Sequence, residues 1–126
     1  MPRRKNTVVF DANMILRYLL NDNTEMAEKA EKYLNTCTVF VTTEVIAEVV
    51  YVSEGVYHMN RTKIAETIGD FMQMVQSRDR ETICLALETY GQENLDFVDC
   101  VLYAYNRVEN LEIATFDRKL LRLLGR

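Results

Sequence analysis

The chain has 126 residues, which is close to the most common size of one domain, so we expect a single domain over residues 1–126. With 48% hydrophobic and 27% charged residues, its composition excludes a disordered or fibrous protein, and a net charge of −4 argues against nucleic-acid binding through overall positive charge. No apolar run could cross a membrane, and the basic start at residues 3–5 lacks the apolar core of a secretion signal, so we expect a cytoplasmic protein.

The first element is a short strand over residues 7–10, which are β-branched or aromatic and too few for a helix. Asp11 follows directly, and a mostly apolar helix runs from Met14 to Leu20. Asp11 has two interpretations at this stage. It can cap the helix behind it, or it can stand at the mouth of a ligand site, since open α/β sheets bind ligands beyond the carboxyl ends of their strands.

The next elements alternate in the same way. Thr24 is expected to cap a helix over residues 25–34, a second strand covers residues 37–41, and Thr42 and Thr43 begin a helix that runs to Gly55. An amphipathic helix covers residues 60–77 and ends at residues 78–80. The remaining elements are a strand over 81–84, a helix over 85–90, a helix over 95–106, a strand over 111–115 and a helix over 118–124. This alternation predicts an α/β fold: a three-layer αβα sandwich with a central, mostly parallel sheet.

Four acids stand where a purely structural sequence does not need them. Asp11 and Asp117 each follow a predicted strand, while Glu48 and Asp99 lie inside apolar helical stretches without a Lys or Arg within one turn. An ionised side chain in such surroundings is costly unless it is paired or bound to a cation. Each acid alone is explained by a helix edge that meets solvent, but the four together favour a shared site.

Carboxylates that converge repel one another, by about 4 kcal/mol for a pair about 4 Å apart near a protein surface, so they take up protons or a metal ion. Ligation by oxygen alone suits one or two Mg²⁺ or Mn²⁺ ions rather than zinc. The lone His58 and the widely spaced Cys37, Cys84 and Cys100 offer neither a zinc site nor a disulfide framework. Such a metal site can cleave phosphodiesters without a nucleophilic side chain.

Four segments together resemble the PIN domain family, and within it the VapC toxin branch, the ribonuclease halves of toxin–antitoxin pairs. The matching segments lie at residues 9–20, 46–50, 96–102 and 113–120. The resemblance implies that Asp11, Glu48, Asp99 and Asp117 are the catalytic, metal-binding acids, with Asn13 and Thr115 as supporting polar residues. It further implies an RNA substrate such as tRNA or another structured RNA, a cognate antitoxin and a homodimer.

Two of these acids have a neighbour that competes for the same role. Asp96 lies three residues before Asp99 and faces the same way, and Glu44 lies one turn before Glu48. The family pattern places its ligand just before the apolar run, which favours Asp99 and leaves Asp96 as a supporting residue. Glu48 is preferred because it lies deeper among apolar neighbours.

Other classes of protein share parts of this pattern. A phosphoacceptor receiver domain needs an acidic pair after its first strand, and a haloacid-dehalogenase-type phosphatase needs Asp-x-Asp there, which Asn13 interrupts. Two further alternatives keep the fold: an RNA-processing nuclease outside a toxin–antitoxin system, and a PIN-like module that binds without catalysis. Metal binding that depends on Asp11 and Asp99 would exclude the last of these.

Overall fold

The computed structural model describes residues 6–126, so the basic run predicted at residues 3–5 lies outside the described part of the chain. Seven helices and two strands make up the described residues, and no helix among them is long and apolar enough to cross a membrane. The elements in chain order are β1 (Thr7–Val9), α1 (Ala12–Leu20), α2 (Thr24–Thr36), β2 (Thr38–Phe40), α3 (Thr43–Gly55), α4 (Arg61–Met72), α5 (Arg80–Gln92), α6 (Phe97–Glu109) and α7 (Arg118–Leu123).

The two strands form a small parallel sheet in which Val8 lies opposite Val39. The pairing continues past β1, because the backbone N–H of Phe10 donates to the carbonyl of Phe40 at 3.1 Å. On its other side β2 makes a single bridge to Gln76. Parallel strands end at the same edge, so α1 and α3 both begin there, which is the edge predicted to carry Asp11.

Of the two threonine caps predicted for α2 and α3, the structure confirms the one at α3. The Thr42 hydroxyl accepts from the N–H of Val45 at 3.2 Å and caps α3 as predicted. The cap predicted at Thr24 is wrong: Asn23 caps α2 by accepting from the N–H of Met26 at 3.0 Å. Asparagine and threonine are both good caps, and the longer helix buries more of its apolar face.

Two predicted strands are wrong. Residues 81–84 belong to α5, whose buried side chains recur at helical spacing and include Thr82, Ile83, Ala86 and Tyr90. Arg80 therefore begins α5 instead of ending the preceding helix, and α4 already ends at Met72. The segment 111–117 is irregular and pairs with no strand among the described residues. Strict alternation of strands and helices is thus lost, and the fold is a mostly helical α/β domain in which the three-layer sandwich remains a prediction.

The core is continuous beneath the sheet and all the longer helices. Phe10, Ile15, Ile46, Phe71 and Phe97 are almost completely buried in it. Burying such a side chain contributes about 1.5–3 kcal/mol, so the core fixes the positions from which α1, α3 and α6 present their polar residues.

Arg61 joins α4 to the connection between α5 and α6. Its guanidinium lies 3.7 Å from the centre of the Tyr90 ring, and its Nε donates to the Tyr90 carbonyl at 2.9 Å. A second guanidinium nitrogen donates to the Leu95 carbonyl. The Tyr90 ring packs edge-on against Phe97, and its hydroxyl donates to Glu54. One arginine thus holds the segment that leads directly into α6.

Helices α4 and α5 approach closely at Gly91. A Cβ added to Gly91 would lie 2.8 Å from the Cβ of Ala65, a contact that only a shift of one helix can relieve. We expect Gly91→Ala to lower the free energy of unfolding by about 1–2 kcal/mol, as overpacking outweighs the gain in helix propensity. Urea unfolding followed by circular dichroism measures the change.

Gly69 on α4 offers a matched control, because a Cβ there would meet no atom within 4 Å. Gly69→Ala is expected to raise stability by up to about 1 kcal/mol, since alanine is the better helix former. Adding Ala65→Gly to Gly91→Ala should restore most of the loss. A Gly91→Ala protein as stable as the parent would show that the close approach is not limiting.

Candidate acidic site

Asp99 lies in the first turn of α6 and is half-buried. Burial raises the pKa of its carboxyl above the ordinary value, and the negative charges of Asp117 and Asp96 raise it further. The charges of Asp96 and Asp117 therefore act on Asp99, although Asp117 lies beyond the end of α6 in the sequence.

Asp96 precedes α6 and caps it. One of its oxygens accepts from the N–H of Val98 at 3.2 Å and from the hydroxyl of Tyr51 at 3.0 Å. Burial raises the pKa of Tyr51, and the hydrogen bond to Asp96 raises it further, so the hydroxyl stays protonated as a donor. Tyr51 is a site residue that the sequence prediction missed, although it lies three residues after Glu48 and thus on the same side of α3.

Helices α3 and α6 lie side by side and run in opposite directions. Tyr51 in the second half of α3 contacts Asp96 at the start of α6, whereas Tyr105 near the end of α6 lies close to Glu44 at the start of α3. Glu48 lies between these two points along α3 and, like Glu44, is exposed. The greater depth expected for Glu48 is therefore wrong, and the choice between the two glutamates stays a prediction.

Asp117 is exposed and caps α7, because its Oδ1 accepts from the N–H of Leu120 at 2.8 Å. Thr115 lies two residues earlier, and its hydroxyl accepts from the N–H of Asp117 at 3.0 Å. The two side chains therefore hold a tight turn between the irregular segment and α7. Asp117 was predicted to follow a strand, but it follows this turn, which is fixed by its own hydrogen bonds.

Asp11 is the cap of α1, with its Oδ1 accepting from the N–H of Met14 at 2.8 Å. Its second oxygen accepts no hydrogen bond from the described residues, so the cap leaves that oxygen available to a ligand. Asn13, also exposed, follows in the first turn of α1. The two interpretations of Asp11 given by the sequence are thus compatible, since capping occupies one oxygen only.

The structure brings Asp96, Asp99 and Asp117 together, and it gives no contact that joins Asp11 or Glu48 to them. Within residues 6–126, no three His, Cys, Asp or Glu side chains are arranged to enclose a metal ion. The donor set nevertheless fits a hard cation, because it consists of carboxylates, a hydroxyl and an amide. Carboxylates repel one another because they carry the same charge, and a bound cation offsets that repulsion.

No basic side chain forms an ion pair with Asp99 among the described residues. Among the described residues the ion pair is the one between Arg17 and Asp22 at 2.9 Å, and it includes none of the candidate acids. A half-buried carboxylate without a cationic partner is unfavourable in the folded state. The imbalance at Asp99 is what a bound divalent cation would correct.

Cysteine and histidine play no part in this site. All three cysteines are free, and burial raises the pKa of the Cys100 thiol to about 12, so it stays protonated. His58 lies in the connection between α3 and α4 and is exposed, as its loop position predicts.

Comparison with known proteins gives one match. A family model described as the PIN domain matches residues 8–124, which is nearly the whole chain and includes every candidate acid. No curated protein matches the chain, and no solved structure does.

Proposed function

The chain belongs to the PIN domain family, a nuclease-type fold, and from this membership and its acidic site we propose that it is a metal-dependent endoribonuclease. In this proposal Asp11, Glu48, Asp99 and Asp117 hold one or two Mg²⁺ or Mn²⁺ ions. The RNA substrate is single-stranded or looped, as in tRNA. The fold around the site is proposed to be the three-layer sandwich expected from the sequence.

The observation that supports the proposal best is the state of Asp99. This carboxyl is half-buried, its pKa is raised by burial and by two neighbouring acids, and no described residue forms an ion pair with it. A half-buried carboxylate without a cationic partner lowers the free energy of unfolding. A divalent cation offsets the repulsion among these carboxylates directly. Metal binding therefore accounts for the group of acids, whereas helix capping alone does not.

Each residue of the site has a physical task in this mechanism. A bound Mg²⁺ or Mn²⁺ would supply a water of lowered pKa and a positive charge beside the scissile phosphate. The charge of Asp117 acts on Asp99, so these two are proposed to share a cation, and the Thr115 hydroxyl holds the backbone that carries Asp117. The Tyr51 hydroxyl holds Asp96 at 3.0 Å as a supporting residue, and in the proposal Asn13 orients a water or the substrate.

The biological role that we propose is the toxin of a toxin–antitoxin pair in the cytoplasm, with a cognate antitoxin and a homodimeric assembly. This part rests on the resemblance of the sequence to the VapC branch. Expression with and without the neighbouring small open reading frame tests it, and unaffected growth in both cases would favour RNA processing outside such a system.

The test of the catalytic proposal is cleavage of tRNA and of single-stranded RNA with Mg²⁺, with Mn²⁺ and with a chelator. We expect cleavage that chelation abolishes and added metal restores. Asp11→Asn should lower the cleavage rate by more than about 100-fold, since it removes a charged ligand. Asparagine caps helices as well as aspartate does, so this variant should unfold at nearly the same temperature as the parent.

Asp70→Asn is the matched control, because Asp70 is an exposed acid on α4, which carries none of the candidate ligands. It should cleave at the parent rate. Cleavage that survives both chelation and Asp11→Asn would exclude the mechanism. An absence of cleavage, together with metal binding that is indifferent to Asp11 and Asp99, would instead favour a binding module without catalysis.

A further inference from the structure

Phe116 is the most exposed large apolar side chain among the described residues, and solvent reaches its whole ring. It is also the residue directly before Asp117, whose charge raises the pKa of Asp99. An isolated exposed apolar residue needs no explanation on most surfaces. A fully exposed aromatic ring beside a candidate nuclease site is different, because aromatic rings are the platforms on which unpaired bases stack.

The backbone under Phe116 is held on both sides. Before it, Ile113 is buried, and the Thr115 hydroxyl accepts from the N–H of Asp117 at 3.0 Å. After it, Asp117 caps α7 at 2.8 Å and Leu120 is completely buried. The ring therefore projects from a fixed turn, and presenting it to a ligand requires little further ordering.

Positive charge lies immediately beyond the ring. Arg118, Lys119 and Arg122 follow on α7, and the latter two line a cleft of about 400 Å³ together with Asn94 and Leu95. Lys119 reaches across this cleft to donate to the Asn94 carbonyl at 3.3 Å. The cleft ends at the connection that leads into Asp96. Arg118 and Lys119 follow Phe116 within three residues, as the acid Asp117 does, and Glu93 also lines the cleft. An RNA strand offers phosphates and bases, which need different partners.

We propose that Phe116 stacks on an unpaired base of the RNA substrate next to the scissile phosphate, while the basic residues of α7 contact the neighbouring backbone. The inference rests on the proposed function, because it assumes RNA at the acidic site. Both faces of an internal base in a duplex are covered by its neighbours, so a protruding ring stacks more readily on a base that is unpaired. Phe116 thereby selects single-stranded and looped RNA over duplex.

The chain contains no tryptophan, so Phe116→Trp creates a single fluorescent reporter at the proposed contact. The reporter is placed in an Asp11→Asn background to prevent cleavage. Titration with a short single-stranded RNA should quench its emission, whereas a blunt duplex of equal length should not.

In the otherwise unchanged chain, Phe116→Ala should raise the KM for single-stranded RNA about tenfold or more, and Phe116→Tyr should leave it near the parent value.

Leu111→Ala is the matched control, since Leu111 is a half-exposed apolar residue of the same irregular segment that lies further from the acids. It should leave KM unchanged. Substrates with one base removed at a time sharpen the test: removal of the stacked base should weaken cleavage by the parent chain and have no further effect on Phe116→Ala.

The outcomes separate this inference from the proposed function. A parent chain that cleaves RNA with the same KM as Phe116→Ala, and a tryptophan that duplex and single strand quench equally, would overturn the stacking role alone. A chain that cleaves no RNA but shows selective quenching would overturn the proposed catalysis and retain the contact. If sedimentation showed that Phe116→Ala dissociates a dimer while RNA affinity is unchanged, a second copy of the chain would be the occupant.

Discussion

Asp99→Asn is expected to abolish RNA cleavage and, at the same time, to make the metal-free protein more stable. Cleavage should fall by more than about 100-fold and calorimetric Mg²⁺ or Mn²⁺ binding should be lost, because the substitution removes the proposed ligand on which the charge of Asp117 acts. The same change relieves burial of a charge beside Asp96 and Asp117. We therefore expect the Tm without metal to rise by ~1–4 °C.

The gain in stability should depend on pH in a defined direction. The pKa of Asp99 in the folded state lies above its ordinary value of 3.8. Above the folded pKa the carboxyl is ionised in both states and its repulsion destabilises the fold, so the advantage of Asp99→Asn is complete there. As the pH falls through the folded pKa the carboxyl becomes protonated, and below about 3.8 the advantage should disappear.

Asp96→Asn provides the comparison for this experiment. Asparagine keeps the helix cap and the partner of Tyr51, so we expect the smaller loss typical of a supporting residue, about 10–100-fold in metal affinity. If Asp96→Asn abolishes metal binding and Asp99→Asn does not, the roles of the two acids are reversed. If Asp99→Asn lowers the Tm, the repulsion argument is wrong.

Arg61→Ala should cause the largest loss of stability of the changes considered, about 2–4 kcal/mol in the free energy of unfolding. The substitution removes a cation from the face of the Tyr90 ring and the donors of two carbonyl groups, those of Tyr90 and Leu95. Urea unfolding measures this loss. Because Leu95 directly precedes Asp96, the variant should also bind metal more weakly than the parent at temperatures where both are folded.

Arg61→Lys separates charge from geometry in this contact. Lysine retains the positive charge but cannot donate to both carbonyls as the planar guanidinium does, so we expect an intermediate loss. Lys63→Ala is the control, since Lys63 is an exposed cation on the same helix, and its removal should change stability by less than about 0.5 kcal/mol. Equal stability of the Arg61→Ala and Lys63→Ala proteins would rule out the proposed role of Arg61.

Helix formation was predicted well because its signals are local. The starts of α1 and α3 were located from residues that cap them, and the amphipathic helices from the spacing of their apolar residues. The resemblance to PIN domains is confirmed by the family match over residues 8–124. It depended on the order and spacing of four segments, which is information that the sequence contains in full.

Strands were predicted less well, because a strand needs a partner that the sequence does not identify. Residues 81–84 and 111–115 have similar β-branched content, yet the first is helical and the second is irregular. Residues 81–84 are helical because one continuous helix, α5, buries Ile83, Leu87 and Tyr90 together. The segment after α6 lacks a paired neighbour among the described residues.

The sequence by itself predicted the four carboxylates as metal ligands from their positions along the chain, and of these Asp99 is half-buried while the other three are exposed. It also predicted that Asp11 can cap the first helix, which the structure confirms. Only the tertiary structure decided which acids are neighbours: it brings Tyr51 to Asp96 and the charges of Asp96 and Asp117 to Asp99. The reason is physical, because charge repulsion and burial depend on distances across the fold, which spacing along the chain does not fix.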